Sequence, residues 1–390
     1  MLDLKTAPPL SLYVHIPWCV KKCPYCDFNS HVRGGGLPEK EYVAALLRDL
    51  ELELPDIWGR SIISVFIGGG TPSLFSAASI DSLLGGLRAR LNLAPDIEIT
   101  LEANPGAVEQ QRFNEYRACG INRISIGAQS FNARHLQSLG RIHDEREAAR
   151  AVATAQQAGF ENINIDLMYG LPGQTVQEAI ADIERAVSLE PAHISHYQLT
   201  IEPNTAFFHR PPILPADDGI WDMQQQCQAL LQVAGYTQYE VSAYARAHRR
   251  CVHNMNYWQF GDYVGIGAGA HQKLTLLNKM VIQRRWKQRL PEHYLSSAMA
   301  QKQHIEGEAK PTRDELKFEF MLNALRLTDG FETPLFYERT GIPLASVTGK
   351  LQEAEQRELL TWNHKLVKPT ELGKRFLNEL LLMFMEETPA

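Results

Sequence analysis

Three cysteines, Cys19, Cys23 and Cys26, stand in a C-x3-C-x2-C spacing directly after the apolar run Tyr13-Val14-His15-Ile16. Three thiolates this close together can grip one compact inorganic centre. Iron–sulfur clusters are normally held by four cysteine thiolates, so three protein ligands leave one iron open to a substrate or cofactor. An odd number of clustered cysteines does not make a closed disulfide set. Zinc is the competing centre. Its tetrahedral site needs a fourth ligand, for which His31 is the nearby candidate. Cys119, Cys227 and Cys251 lie scattered and read as structural.

A second set of polar residues recurs at the ends of strand-like runs. Residues 61–67 close into Gly68-Gly69-Gly70-Thr71-Pro72, and residues 97–101 end at Glu102. Residues 123–126 lead to Gln129, and residues 163–167 contain Asp166. Glycines let a backbone approach a ligand closely because no Cβ intervenes. Glu102 and Asp166 could accept hydrogen bonds from ribose hydroxyls or an ammonium group. Gln129 and Arg141 suit amide or carboxylate groups, Arg141 through a bidentate fork. Each residue alone reads more readily as a cap or a turn; their recurrence on successive units is the signal.

The elements that must position them alternate. Residues 11–16 and 194–199 complete six strand-like runs, and helical patterns cover 39–54, 77–91, 145–158 and 175–188. Repeated strand-then-helix units imply parallel strands joined by right-handed crossovers. Six units make an α/β fold with a partial (β/α)6 barrel, short of the eight of a closed one. The loops at the C-terminal ends of such strands are where ligands bind.

The bulk numbers fit a globular protein. The chain has 390 residues, 44% hydrophobic and 22% charged, with a net charge of −6 and no long basic run. Nucleic acid is therefore not an expected partner. No stretch is long and apolar enough to span a bilayer, and no signal-like segment opens the chain. The expected location is cytoplasmic, with peripheral contact at the inner membrane left open.

Beyond residue 200, a proline-rich connection leads to a helix over 221–234 and a strand over 238–244. Then comes His253-Asn254-Met255-Asn256-Tyr257-Trp258, followed by a glycine-dense run to His271. His253 could offer an axial imidazole, and Tyr257 and Trp258 flat apolar surfaces, to a macrocycle. A core histidine beside ordinary aromatics is the plainer reading. Residues 272–310 read as a loosely ordered connection. Helices over 314–327, 334–340, 344–356 and 371–385, with a hairpin over 359–367, predict a winged-helix-like C-terminal region. It carries more acid than base, which favours packing or docking over DNA binding. Three segments follow: a barrel domain over 1–245, a motif segment and connection over 246–310, and the C-terminal domain over 311–390.

These motifs together resemble the radical S-adenosylmethionine (SAM) enzymes, in their coproporphyrinogen III dehydrogenase branch, from about residue 11 onward. The resemblance implies a [4Fe–4S] cluster on Cys19, Cys23 and Cys26, whose open iron chelates the amino and carboxylate groups of SAM. In the family, reductive cleavage then gives methionine and a 5′-deoxyadenosyl radical. It implies that Tyr13, Gly69 and Glu102 hold the cluster-bound SAM, and that Tyr25, Gly70, Thr71, Gln129, Arg141 and Asp166 line a second SAM site. Two features depart from the dehydrogenases: Phe28 stands where they have a further cysteine, and Cys19 lies close to the start. Both, with His253-Asn254-x-x-Tyr257-Trp258, are similar to the heme chaperones of the same family. That likeness implies heme as a ligand at His253, Asn254, Tyr257 and Trp258, delivery to respiratory membrane proteins, bacterioferritin-like donors, and a homodimer when cofactor-loaded. The alternative is the dehydrogenase activity itself, oxidative decarboxylation of two propionates.

Overall fold

The structure, a computed structural model, describes residues 2–142, 144–300 and 304–385. Small parts of the expected tail, connection and C-terminal region (residues 1, 301–303 and 386–390) lie outside the described residues. Twelve strands form one open sheet. They are β1 (Leu10–Ile16), β2 (Ser61–Gly69), β3 (Asn92–Ala103), β4 (Arg123–Gln129), β5 (Asn162–Tyr169) and β6 (His193–Gln198). After them come β7 (Thr237–Glu240), β8 (Ala243–Ala245), β9 (Asp262–Ile266), β10 (His271–Leu276), β11 (Val281–Lys287) and β12 (Ile305–Ala309). The spatial order is β12-β11-β10-β9-β1-β2-β3-β4-β5-β6-β8-β7.

From β9 through β6 every neighbouring pair is parallel. Antiparallel strands extend both ends, and the ends do not meet. The expected six-unit partial barrel is thus present. Along β1, Leu10, Leu12, Val14 and Ile16 enter the main hydrophobic core with Tyr42, Leu46 and Leu50 of the helix Glu39–Ile57. Period two in the strand meets period 3.6 in the helix. The alternate residues Ser11, Tyr13 and His15 are left for the sheet's other, polar-lined face. The helices over Glu145–Gln157 and Val176–Ser188 each start with a full capping box, from Asp144 and Thr175.

Several expectations are corrected. Residues 272–310 are not a loose connection: they supply β10, β11, β12 and the helix Pro291–Met299. Their basic residues misled because they are buried with partners. Lys287 Nζ lies 2.6 Å from both Asp49 and Glu53, and Lys273 Nζ 3.0 Å from Asp262. The strand expected over 238–244 is two, β7 and β8, paired antiparallel. The last expected helix breaks at Phe376 into Glu371–Arg375 and Leu377–Leu382. The helix Ala107–Cys119 is an addition that charge-rich sequence did not signal.

The C-terminal helices and a three-stranded antiparallel sheet form a second core around Phe320, Phe331 and Phe336. Leu4, Phe260 and Ile282 from the earlier chain join it.

Candidate cofactor site

The C-terminal ends of the parallel strands surround a cavity of about 410 Å³. Cys19, Cys23 and Cys26 all line it from the loop after β1. Each sulfur has a polar neighbour. Thr71 Oγ1 donates to Cys19 Sγ at 3.5 Å, Arg141 Nη1 lies 3.8 Å from Cys23 Sγ, and Ser30 Oγ lies 3.8 Å from Cys26 Sγ. Burial raises the Cys19 and Cys26 thiols above their ordinary pKa. Among the described residues, no closed set of three metal-binding side chains is preformed; the sulfurs face the cavity as separate free thiols. Soft sulfur donors, each with its own hydrogen-bonding partner, fit an iron–sulfur cluster. The zinc alternative loses its fourth ligand, because His31 Nε2 bonds Asn29 Oδ1 at 3.2 Å and does not line the cavity.

The glycine turn is built into the cysteine loop. Gly70 N–H donates to Ile16 O and Thr71 N–H to Trp18 O, both at 2.8 Å. Gly69 has φ +117°, and a Cβ there would stand 2.7 Å from the His15 ring. Only glycine passes here without strain. Gln129 reaches the cavity from a register shift in β4, with its own φ at +67°. Such bulges re-aim side chains beside functional sites.

Arg141 Nη2 donates to Asn104 Oδ1 at 2.8 Å and Gly127 O at 2.7 Å. Asn104 Nδ2 in turn donates to Thr71 Oγ1 at 3.1 Å. Asn104 thus joins three strand ends. It escaped the sequence reading, though its place two residues after Glu102 at a strand end was a usable signal.

Glu102 and Asp166 lie deeper. Gly69 N–H donates to Glu102 Oε2 at 3.1 Å. Burial, with Asp166 adding repulsion, pushes the Glu102 carboxyl up to about 8. Burial also raises Asp166, against hydrogen bonds of 2.8 Å from Ser125 and Asn164. Two such acids make a site that welcomes a cation. Tyr25, Gly70 and Thr71 line the same cavity. Tyr13 does not; its hydroxyl bonds His15 Nδ1 at 2.9 Å, and His15 Nε2 meets Asn29 O at 2.8 Å.

The remaining candidates sit elsewhere. His253, Asn254, Tyr257 and Trp258 lie on a short helix, Val252–Trp258, toward the other end of the strands. His253 Nδ1 is 3.1 Å from Ser64 Oγ, and its ring lies 5.0 Å from Phe66 and 6.3 Å from Tyr13. Burial lowers this imidazole to about 3, so it is neutral. Tyr257 is 37% exposed and Trp258 lies beneath the Arg326 guanidinium at 4.4 Å. His253 and Tyr257 stand one turn apart on the same side of the helix, the imidazole beside Phe66 and Tyr13 and the Tyr257 ring 5.3 Å from Tyr263 and 5.1 Å from Trp258.

The chain matches the radical SAM superfamily over residues 13–186 and the HemN C-terminal domain over residues 312–376. It is 49% identical over 381 residues to heme chaperone HemW of Escherichia coli (strain K12), covering 97% of this chain and 99% of that protein. Heme chaperone HemW of Haemophilus influenzae is also 49% identical, over 384 residues, with 97% and 99% covered. Heme chaperone HemW of Lactococcus lactis is 32% identical over 383 residues, covering 97% of each chain. Among solved structures, coproporphyrinogen III oxidase (HemN) from Escherichia coli, a radical SAM enzyme, superposes with a TM-score of 0.81. It is 24% identical and covers 97% of this chain and 90% of that one, a likeness of fold.

Proposed function

Because the chain belongs to the radical SAM superfamily, in the family of the heme chaperones HemW, we propose that it binds heme and hands it to acceptor proteins. The observation that carries this reading is the 49% identity running the full length of chains named for that role. The acceptors are respiratory heme proteins of the membrane, and the donors are bacterioferritin-like. Among the described residues no helix is long and apolar enough to cross a membrane, so delivery would take place by surface contact. The cofactor-loaded form is a homodimer in this reading.

Cys19, Cys23 and Cys26 are the ligands for a [4Fe–4S] cluster at the rim. When bound, such a cluster chelates SAM at its open iron and can pass it an electron. This chain's residues bind and orient. Glu102, with the Gly69 backbone above it, accepts from the ammonium or ribose of SAM, and Tyr13 braces that wall through His15. Arg141, Gln129, Thr71, Gly70, Tyr25 and Asp166 would receive a second SAM. His253, Asn254, Tyr257 and Trp258 would meet heme.

The alternative is oxygen-independent coproporphyrinogen III dehydrogenase. At the cavity rim this chain has Phe28, 60% exposed, where the resemblance to the dehydrogenases calls for a cysteine. An anaerobic heme titration of the reconstituted protein and its His253→Ala variant, beside a coproporphyrinogen turnover assay, tests the choice. Near-stoichiometric heme binding that weakens in the variant, with no porphyrin product, is expected. SAM-dependent turnover of coproporphyrinogen without heme binding would replace the chaperone reading with the dehydrogenase.

A further inference from the structure

Asn104 follows the last residue of β3 and lines the cavity between two side chains that each reach a cysteine sulfur. On one side its Oδ1 accepts from Arg141 Nη2 at 2.8 Å, and Nη1 of the same guanidinium lies 3.8 Å from Cys23 Sγ. On the other side its Nδ2 donates to Thr71 Oγ1 at 3.1 Å, and Thr71 Oγ1 donates to Cys19 Sγ at 3.5 Å. Backbone and neighbouring groups hold the chain in place. The Asn104 N–H donates to Ser73 Oγ at 3.3 Å, and Arg141 Nη2 also donates to Gly127 O at 2.7 Å.

The direction of this chain is forced. A guanidinium has donors only, so it must face the amide oxygen, which turns the amide nitrogen toward Thr71. A hydroxyl has one proton. Thr71 accepts from Asn104 and therefore keeps that proton for the sulfur of Cys19. Thr71 is 4% exposed, which limits competition from bulk water. Hydrogen bonds to the sulfurs of an iron–sulfur cluster favour its more negative, reduced state and raise its reduction potential.

We propose that Asn104 is a positioning residue that turns the Thr71 hydroxyl proton onto Cys19 Sγ, and so sets how readily a cluster on Cys19, Cys23 and Cys26 accepts one electron from a low-potential donor. The inference rests on the cluster reading of the three cysteines. Asn104→Asp nearly keeps the shape and reverses the polarity. The new carboxylate accepts from Arg141 and from Thr71 alike, so the hydroxyl proton leaves the sulfur. The added negative charge also disfavours reduction, and a Thr71→Val background separates the two effects because it keeps the charge and lacks the hydroxyl.

The test is an anaerobic redox titration with dithionite, read by electron paramagnetic resonance, on full chains reconstituted with iron and sulfide and without SAM. The proteins are the wild type, Asn104→Asp, Thr71→Val, Thr71→Ser and the Asn104→Asp/Thr71→Val pair, with iron and sulfide counted in each. In Asn104→Asp the one-electron equilibrium should move about tenfold toward the oxidised form, a fall of about 59 mV. Thr71→Val should fall by a similar amount, and Thr71→Ser, which keeps the hydroxyl, should stay with the wild type. In the pair, the further fall caused by Asn104→Asp should shrink to less than half. Should Asn104→Asp take up no cluster, Asn104→Ala replaces it. Being uncharged, it frees the hydroxyl to rotate, and a smaller fall that vanishes beside Thr71→Val is expected. An equal fall with and without the Thr71 hydroxyl, or no fall at all, overturns the positioning role alone. A wild type that takes up no [4Fe–4S] cluster overturns the cluster reading itself.

Discussion

At the scale of single residues, the rim cavity is a place of opposed demands. It holds the thiols of the cluster loop, one enclosed guanidinium at Arg141, and two carboxyls that burial keeps from ionising easily. Glu102 makes the balance measurable. Its folded pKa, about 8, lies above the ordinary 4.5, with burial as the first cause and Asp166 as the second. The folded state therefore holds this proton more tightly than the unfolded chain does. Its contribution to stability is fully present below about pH 4.5 and is lost as pH rises through about 8. Glu102→Gln stays uncharged throughout. In cofactor-free protein it should flatten the loss of stability between about pH 5 and pH 8, and at pH 8 gain at least about 1 kcal/mol over the wild type. Urea midpoints across that range decide it. Parallel pH slopes for the two proteins would show that Glu102 ionises normally. Asp166 shifts the same way and is retained in both, so the pH slope that remains in the variant is its own titration, freed of the Glu102 charge.

At the scale of elements, what was legible depended on whether polarity and position agreed. The strands β2 to β5 announced themselves because each apolar run carries Gly, Glu, Gln or Asp at or near its end, and their loops do converge on one cavity, whereas β9, parallel to β1, read only as part of a glycine-dense run. β10 and β11 were hidden because they carry Lys273, Arg284, Arg285 and Lys287, which pattern reasoning assigns to solvent. The partners of Arg285 and Lys287 stand far off in sequence: Asp49 and Glu53 on the helix Glu39–Ile57, more than two hundred residues earlier. Tertiary pairing of that range leaves no local trace. The seating of His253 was illegible for the same reason, since Ser64 and Phe66 belong to a distant strand. The hidden pairing has a consequence for stability. Lys287→Met leaves Asp49 and Glu53 buried without their shared ammonium and should cost about 3 kcal/mol. Neutralising both acids in the same chain (Asp49→Asn, Glu53→Gln and Lys287→Met together) should recover most of it. Chemical denaturation reads both numbers. A single variant as stable as the wild type would mean that the pair is already open to water.

At the scale of the whole molecule, the two cores are not independent. Leu4, Phe260 and Ile282 leave the barrel region to pack among the C-terminal phenylalanines. The Asp3 N–H donates to Gly341 O at 3.0 Å, and Arg284 pairs with Glu319 at 2.6 Å. Arg326 reaches back to Glu240 at 3.3 Å and lies over Trp258, so the C-terminal region also bears on the helix that carries His253. A chain ending after residue 311 would expose Phe260, Ile282 and Leu4 and strip Trp258 of its cation. The full chain should therefore unfold in one calorimetric transition, its van't Hoff and calorimetric enthalpies agreeing. The truncated chain should melt at least about 5 °C lower, bind an apolar dye, and show altered tryptophan fluorescence. Two resolved transitions in the full chain, the first leaving tryptophan emission untouched, would mean that the C-terminal region unfolds alone and that the helix Val252–Trp258 is held by the barrel without it. In that event Ser64 and Phe66 would carry the seating of His253 by themselves, and truncation would leave heme affinity where it was. A single transition with heme binding altered by truncation places the C-terminal region among the elements that set the position of that helix.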